Sequence, residues 1–298
     1  MRVPLEPNGF TGEQPDRRGC QRGALRTGCG TVRYRRWSRP GAPVLLLVHG
    51  SRGHGGWWRA VGPLLAAHCD VVVPDLSGHG DSDWCEDGYR SEAWAAELAG
   101  VVSGLELGAV TLVGHSMGGK VGVFFAARHA TLADALVLVD VNLRPPDRAE
   151  GRDDVDERPH RGNRVYATLP EALSRFRLRP GRSVVPPDLL ERVAREAVVE
   201  VDGGWTWKFD PRVGQQLTAA ELHPELPSVR CPVGIVYGEH SPLVGPHTVA
   251  YVSGRLGRGV PSRMVAGADH HVPLDAPVGC SQAVLELLPV LRGELTGS

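Results

Sequence analysis

Val110-Thr111-Leu112-Val113-Gly114-His115-Ser116-Met117-Gly118-Gly119-Lys120-Val121-Gly122-Val123-Phe124-Phe125-Ala126-Ala127 is the stretch on which the reading of this chain turns. Its first four residues form an apolar, β-branched run that reads as a buried strand, and the residues after Gly119 read as a buried helix. Between them stands G-x-S-x-G, the pattern of a sharp strand-to-helix turn with serine at its apex. A side chain at 114 or 118 would collide with the neighbouring strand and helix once that turn is made, so glycine suits both places. The turn lifts the Ser116 hydroxyl clear of the sheet. It also puts the Met117 amide at a helix N-terminus, where it can donate to a developing oxyanion. Ser116 is therefore the candidate nucleophile.

Working outward, Val44 to Val48, Val71 to Asp75, Ala135 to Asp140 and Val233 to Tyr237 are further short apolar runs, each closed by a polar or glycine residue. Helical patterns at Trp57 to His68, Ser91 to Leu105 and Met117 to His129 separate most of them. Ser262 to Ala266 supplies a last strand and Ser281 to Leu291 a last helix. Val32 to Trp37 alternates and reads as an edge strand. This is the rhythm of an α/β protein with a doubly wound, mostly parallel sheet. The rhythm breaks between Asp140 and Val233, where Leu169 to Phe176 and Asp188 to Val199 look like amphipathic helices; an insertion of that length predicts a small helical cap over the strand ends. The expected organisation is a mobile extension over 1–24, a core from 25–141 and 223–298, and a cap over 142–222, inserted after the sixth core strand.

The 298 residues suffice for a full core, and a net charge of −1 with mixed signs offers no basic face to nucleic acid or an anionic membrane. The six cysteines show no C-x-x-C pair and no clustered Cys/His ligand set, so no metal and no cofactor are expected. Cys69 and Cys231 border strand-like runs, as buried free thiols do. A reducing, cytoplasmic compartment follows, in line with the lack of an apolar span or signal-like leader. The expected partner is a small molecule; oligomeric state stays open.

A serine nucleophile needs a base, a carboxylate to orient it, and oxyanion donors. Gly267-Ala268-Asp269-His270-His271 follows the last strand and offers the base. With this set the chain resembles the α/β-hydrolase superfamily, in particular its capped esterase and epoxide-hydrolase-like group with a serine nucleophile. In that family G-x-x-H is often followed by an acid five positions on and proline seven on; His270, Asp275 and Pro277 fit, whereas His271 needs an offset. His49-Gly50-Ser51 resembles the oxyanion segment, implying Ser51 N–H and Met117 N–H as the two donors. Asp75 to Ser82 resembles the D-x-x-G-x-G-x-S turn, which implies an architectural role.

The acid departs from the usual pattern. Where many relatives carry G-x-x-D after the penultimate strand, this chain has Gly238-Glu239-His240-Ser241. Some relatives place the acid at the end of the strand after the nucleophile helix, where Asp140 stands. Asp140 is the first choice and Glu239 the alternative. Trp57, Trp58, His115, Phe176 and Trp207 are the candidate substrate-binding side chains, one of the Trp57 and Trp58 pair walling the pocket and the other packing on the sheet; they point to a lipophilic or aromatic substrate. The resemblance implies a cofactor-independent hydrolase of a carboxylic ester, lactone or thioester. Carbon-carbon bond hydrolysis, perhydrolase or haloperoxidase-type chemistry and acyl transfer share a serine elbow, and a non-catalytic receptor on the same fold is the alternative of another class.

Overall fold

The computed structural model describes residues 19–143, 145, 162–180, 183–213 and 222–294. In chain order its strands are β1 (Gln21–Thr27), β2 (Gly30–Trp37), β3 (Val44–Val48), β4 (Asp70–Pro74), β5 (Val110–His115), β6 (Ala133–Val139), β7 (Val198–Val201), β8 (Gly204–Trp207), β9 (Val233–Gly238) and β10 (Ser262–Val265). Eight of them form one sheet in the order β1-β2-β4-β3-β5-β6-β9-β10. β1 with β2 and β2 with β4 run antiparallel; the other pairs are parallel. The order reverses about β3, so the crevice at the carboxyl ends of β3 and β5 is where such a sheet takes its ligand.

The helices are α1 (Gly62–Leu65), α2 (Ser91–Gly104), α3 (Met117–Arg128), α4 (Leu169–Ser174), α5 (Pro187–Glu196), α6 (Pro246–Leu256), α7 (Val272–Asp275) and α8 (Pro277–Leu291). Leu46 and Val48 of β3 pack with Leu98 of α2 and Phe124 of α3 in one layer. Leu45 and Leu47 pack with Leu65 of α1 and Leu287 of α8 in the other. Both faces of the strand are thus covered, which is why its sequence is uninterruptedly apolar. Each leucine buried this way is worth about 1.5–3 kcal/mol.

Several sequence expectations are corrected. Residues 21–24 belong to β1, paired through Leu25↔Val32 with β2, so they are not extension, and β2 is not the edge strand. Residues 1–18 lie outside the described residues. The predicted helix over 57–68 is a 3₁₀ turn at Gly55–Trp58 followed by the short α1, because Gly62-Pro63 restarts the helix rather than continuing it. Cys69 and Cys231 are free and buried as expected, as are Cys20 and Cys280, whereas Cys29 and Cys85 form a disulfide, which does not fit the expectation of a reducing compartment. The bridge pins the β1–β2 turn to the loop leading into α2.

Between β6 and β9 the described residues hold α4, α5 and the antiparallel hairpin β7–β8. The cap region is therefore not purely helical. Alternation of Trp205 and Trp207 is a strand signature, and Tyr166 extends the hairpin through a bridge to Trp205. Residues 144 and 146–161, part of the expected cap, lie outside the described residues. Among the described residues no helix is long and apolar enough to cross a membrane.

Candidate active site

Ser116 follows β5 with φ 51° and ψ −117°, a left-handed conformation that a non-glycine residue adopts only when its surroundings force it. The forcing groups are close. A Cβ on Gly114 would lie 2.5 Å from the Gly118 carbonyl carbon, and one on Gly118 2.5 Å from the Val48 oxygen. The Ser116 amide donates to the Val139 carbonyl at 3.0 Å, tying the turn to the end of β6. Met117 opens α3 and is buried, so its N–H is one that a helix leaves without an intrahelical acceptor.

On the neighbouring strand end, Ser51 lies just past β3 in a turn closed by Gly53 N donating to Gly50 O at 3.1 Å. His49, fully buried, holds this segment. Its Nε2 accepts from Leu76 N at 3.1 Å, which assigns the proton to Nδ1, 2.8 Å from Gly50 O. The Asp75 carboxylate accepts from Gly55 N at 2.5 Å through one oxygen and from Asp81 N at 2.9 Å through the other. The Asp75–Ser82 turn thus braces the segment that runs from His49 to Gly55. That is an architectural use of the turn, and His79 is buried behind it with burial holding its pKa well below the usual histidine value.

His270 enters from the loop after β10. Its Nδ1 lies 2.8 Å from Asp140 Oδ1, and its amide donates to Asp269 Oδ1 at 2.9 Å. Asp275 accepts in turn from Asp269 N at 3.1 Å, which orders the loop. The His270 carbonyl is 3.0 Å from His115 Nε2, linking the histidine loop directly to the residue before Ser116. Asp140 is fully buried and, like Ser116, has a positive φ, 49°. Its Oδ2 accepts from Gly238 N at 3.0 Å and its Oδ1 also from the Ser241 hydroxyl at 2.8 Å. That hydroxyl accepts from Leu243 N and Val244 N at 3.2 and 3.1 Å, so its own hydrogen points at the carboxylate.

Glu239 faces the other way. Its side chain is 41% exposed, and its Oε2 accepts from Gly267 N at 2.9 Å. The sequence treated Ser241 as a missing acid; the structure makes it a donor to the acid on the adjacent strand. The parallel register Val139↔Val236 puts Asp140 beside the residues that lead to Ser241, a relation carried by strand order rather than by local motif.

Aromatic side chains lie against the histidines. Trp57 is buried, with its ring centroid 5.5 Å from that of His271 and 5.8 Å from that of His115. It packs with Leu189, Val193 and Leu274, and Phe176 joins that cluster at its edge. Phe176 also reaches Trp207, centroids 6.1 Å apart, so aromatic surface runs from the site into the cap hairpin. Trp58 is fully buried in the core layer with Trp37 and Leu65, so of the tryptophan pair Trp57 faces the histidines and Trp58 packs on the sheet.

Cap and core are joined by buried polar bonds. His54 Nδ1 accepts from Gly56 N at 3.1 Å, leaving Nε2 to donate to Val193 O of α5 at 3.1 Å. Burial is the main cause that lowers His54 to about 4, so the ring is neutral at neutral pH. Glu196, at the end of α5, bonds Arg35 Nη2 at 2.7 Å and also Arg59. Burial opposes its ionisation, but Arg35, His54 and Arg59 outweigh it and take it to about 2.

Relatives share this architecture. The chain is 30% identical over 233 residues to 2-(acetamidomethylene)succinate hydrolase of Mesorhizobium japonicum, covering 77% of this chain and 82% of that one. The crystal structure of E-2-(acetamidomethylene)succinate hydrolase superposes with a TM-score of 0.75 at 26% identity, over 91% of this chain and 98% of the other. An esterase of Mycobacterium tuberculosis is 29% identical over 279 residues, covering 91% and 88% of the two chains. The family model for the alpha/beta hydrolase fold matches residues 43–277, and on this evidence the chain belongs to the alpha/beta hydrolase fold family.

Proposed function

We propose that this chain is a serine hydrolase that cleaves a carboxylic ester, lactone or thioester of a small lipophilic substrate through an acyl-enzyme. The observation that carries the reading is the meeting of strand ends: Ser116 strained at φ 51°, the His270–Asp140 contact of 2.8 Å, and the 3.0 Å contact of His115 Nε2 with the His270 carbonyl that ties the histidine loop to the residue before Ser116. Ser116 Oγ attacks the acyl carbon as His270 Nε2 takes its proton, and Asp140 holds the resulting imidazolium. Nε2 is the nitrogen left for this task because Nδ1 faces Asp140. The amides of Ser51 and Met117 receive the oxyanion, and as backbone groups they are in place before charge develops. His270 then protonates the leaving group. Water deprotonated by the same nitrogen attacks the acyl-enzyme and regenerates Ser116.

Support for a hydrolytic role comes from the names of the similar proteins, a hydrolase and an esterase. Trp57, Phe176 and Trp207 favour an apolar acyl or alcohol portion. The test is a fluorophosphonate probe read by mass spectrometry, alongside a panel of p-nitrophenyl esters, lactones, acyl thioesters and 2-(acetamidomethylene)succinate. Labelling at Ser116 and turnover of the ester class are expected, both lost in Ser116→Ala. A folded wild-type chain that neither labels nor turns over any member of the panel would overturn the proposal.

A further inference from the structure

Three buried imidazoles meet at this site, and the proposed hydrolysis uses one of them. His115, His270 and His271 each present a ring nitrogen within 4.8 Å of those of the other two. They come from the end of β5 and from the loop after β10, so no sequence spacing announces them. Ring centroids are 5.0 Å apart for His115 with His270 and for His270 with His271, and 5.8 Å for His115 with His271. The expectation that the chain holds no clustered ligand set is therefore corrected in space, though not in sequence.

Two of the three rings have one nitrogen engaged and the other left over. His270 gives Nδ1 to Asp140, and His115 gives Nε2 to the His270 carbonyl. In metal sites a ligating histidine commonly donates its second nitrogen to a carboxylate or a backbone carbonyl, which fixes the ring and its tautomer. His115 Nδ1 has no hydrogen-bond partner and is buried. Neither nitrogen of His271 meets hydrogen-bond geometry; the carbonyls of Arg179 and Pro180 are the polar groups that approach it. Burying a nitrogen without a partner is unfavourable, a cost that a ligand on the cluster would offset. Both rings thus present a buried nitrogen to a ligand.

We propose that His115, His270 and His271 bind a divalent transition-metal cation of the zinc type, and that a cation held there takes the His270 lone pair and stops the reaction. Three imidazoles with a water in the fourth position are a standard ligand set for such an ion. Bonds of about 2.0–2.1 Å in a tetrahedron put the nitrogens about 3.3 Å apart, so the widest pair closes by at most about 1.5 Å through ring rotation. Arginine or lysine chemistry is not involved, and no proton need leave a neutral ring. The inhibitory half of the proposal rests on His270 acting as the base; the binding half does not.

The test separates the two halves. The full chain, freed of metal with a chelator, is titrated with Zn²⁺ by calorimetry and with Co²⁺ by visible absorption. One equivalent should bind, with the cobalt spectrum of a tetrahedral site. His271→Phe, which keeps a ring against Trp57, and His271→Gln should each weaken binding by about tenfold or more, with circular dichroism verifying the fold. Ser116→Ala should bind as wild type does. Zn²⁺ should slow fluorophosphonate labelling of Ser116 over the same concentration range, and a chelator should restore it. Absence of binding up to about 1 mM, or binding unchanged in both His271 variants, would overturn the site, the latter placing the ion on exposed histidines such as His240. Binding that depends on His271 in a chain that never labels would uphold the site and defeat the hydrolase reading instead.

Discussion

Asp140 and Glu239 stand at the ends of the adjacent parallel strands β6 and β9, and the contrast between them shows what makes a carboxylate usable in this fold. Glu239 lies close to the usual position in the sequence, yet it is 41% exposed and bonded to the Gly267 amide on the surface. Asp140 is fully buried and receives Gly238 N, Ser241 Oγ and His270 Nδ1. Position along a strand end brings a carboxylate near the groove; a positive φ at Asp140 turns it inward, and a set of donors keeps it there. Glu97, on α2, isolates the second requirement. It is buried, its hydrogen-bond partner among the described residues is Ser77, whose amide donates at 2.9 Å, and Oε2 has no hydrogen-bond partner. Burial accordingly pushes Glu97 up to about 7.

The largest effect should come from breaking the inner member of the pair. Asp140→Asn keeps the volume but removes the charge, and kcat on the best ester should fall by about 10⁴-fold if Asp140 orients His270. A loss under about tenfold would remove Asp140 from that role. Next in size is Glu97. Its folded pKa lies above the unfolded value, so its contribution is fully present below about pH 4.5 and is lost as pH rises through 7. A shift of that size corresponds to about 3 kcal/mol across the window. Denaturant unfolding at pH 5 and pH 8 should show wild type losing stability that Glu97→Gln retains; parallel pH profiles for the two chains would refute the assignment.

Ser241→Ala sharpens the comparison further by removing one donor and leaving Asp140 in place. A hydrogen bond to a charged group is worth about 1.5–3 kcal/mol, so kcat should drop by about tenfold and the unfolding free energy by a comparable amount. In Asp140→Asn the same substitution should add little, because the two side chains act as a unit. The smallest effect belongs to Glu239→Gln, whose kcat should stay within about twofold of wild type, since an exposed acid contributes little to a buried imidazole. A Glu239→Gln defect as large as that of Asp140→Asn would invert the comparison.

The core was legible because strands buried on both faces are written as continuous apolar runs, and the turn around Ser116 because glycines at 114 and 118 are sterically required. The histidine loop was legible through its place after the last strand, and within it the resemblance to the family favours His270 over His271. Less so were relations between strands. That Ser241 donates to Asp140 depends on β6 lying beside β9, which no local pattern states. Residues 21–24 of β1 read as extension because Gln21–Thr27 is an edge strand with little apolar content. Helix α6 went unread although Pro246 opens it and Gly257, at φ 64°, closes it, a pairing that does mark helix ends. The Cys29–Cys85 bridge joins residues 56 apart in sequence and is fixed by tertiary contact alone.

The left-handed serine at the tip of β5 has a consequence for how this protein tolerates change. A residue in that conformation costs about 1–3 kcal/mol, a cost that glycine does not bear. If Ser116 is the nucleophile, folding and chemistry make opposite demands on position 116: the chain would fold more securely with glycine there, and turnover alone would favour serine. Ser116→Gly should melt above wild type while hydrolysing nothing, making it the better choice than Ser116→Ala for holding an intact substrate in the groove.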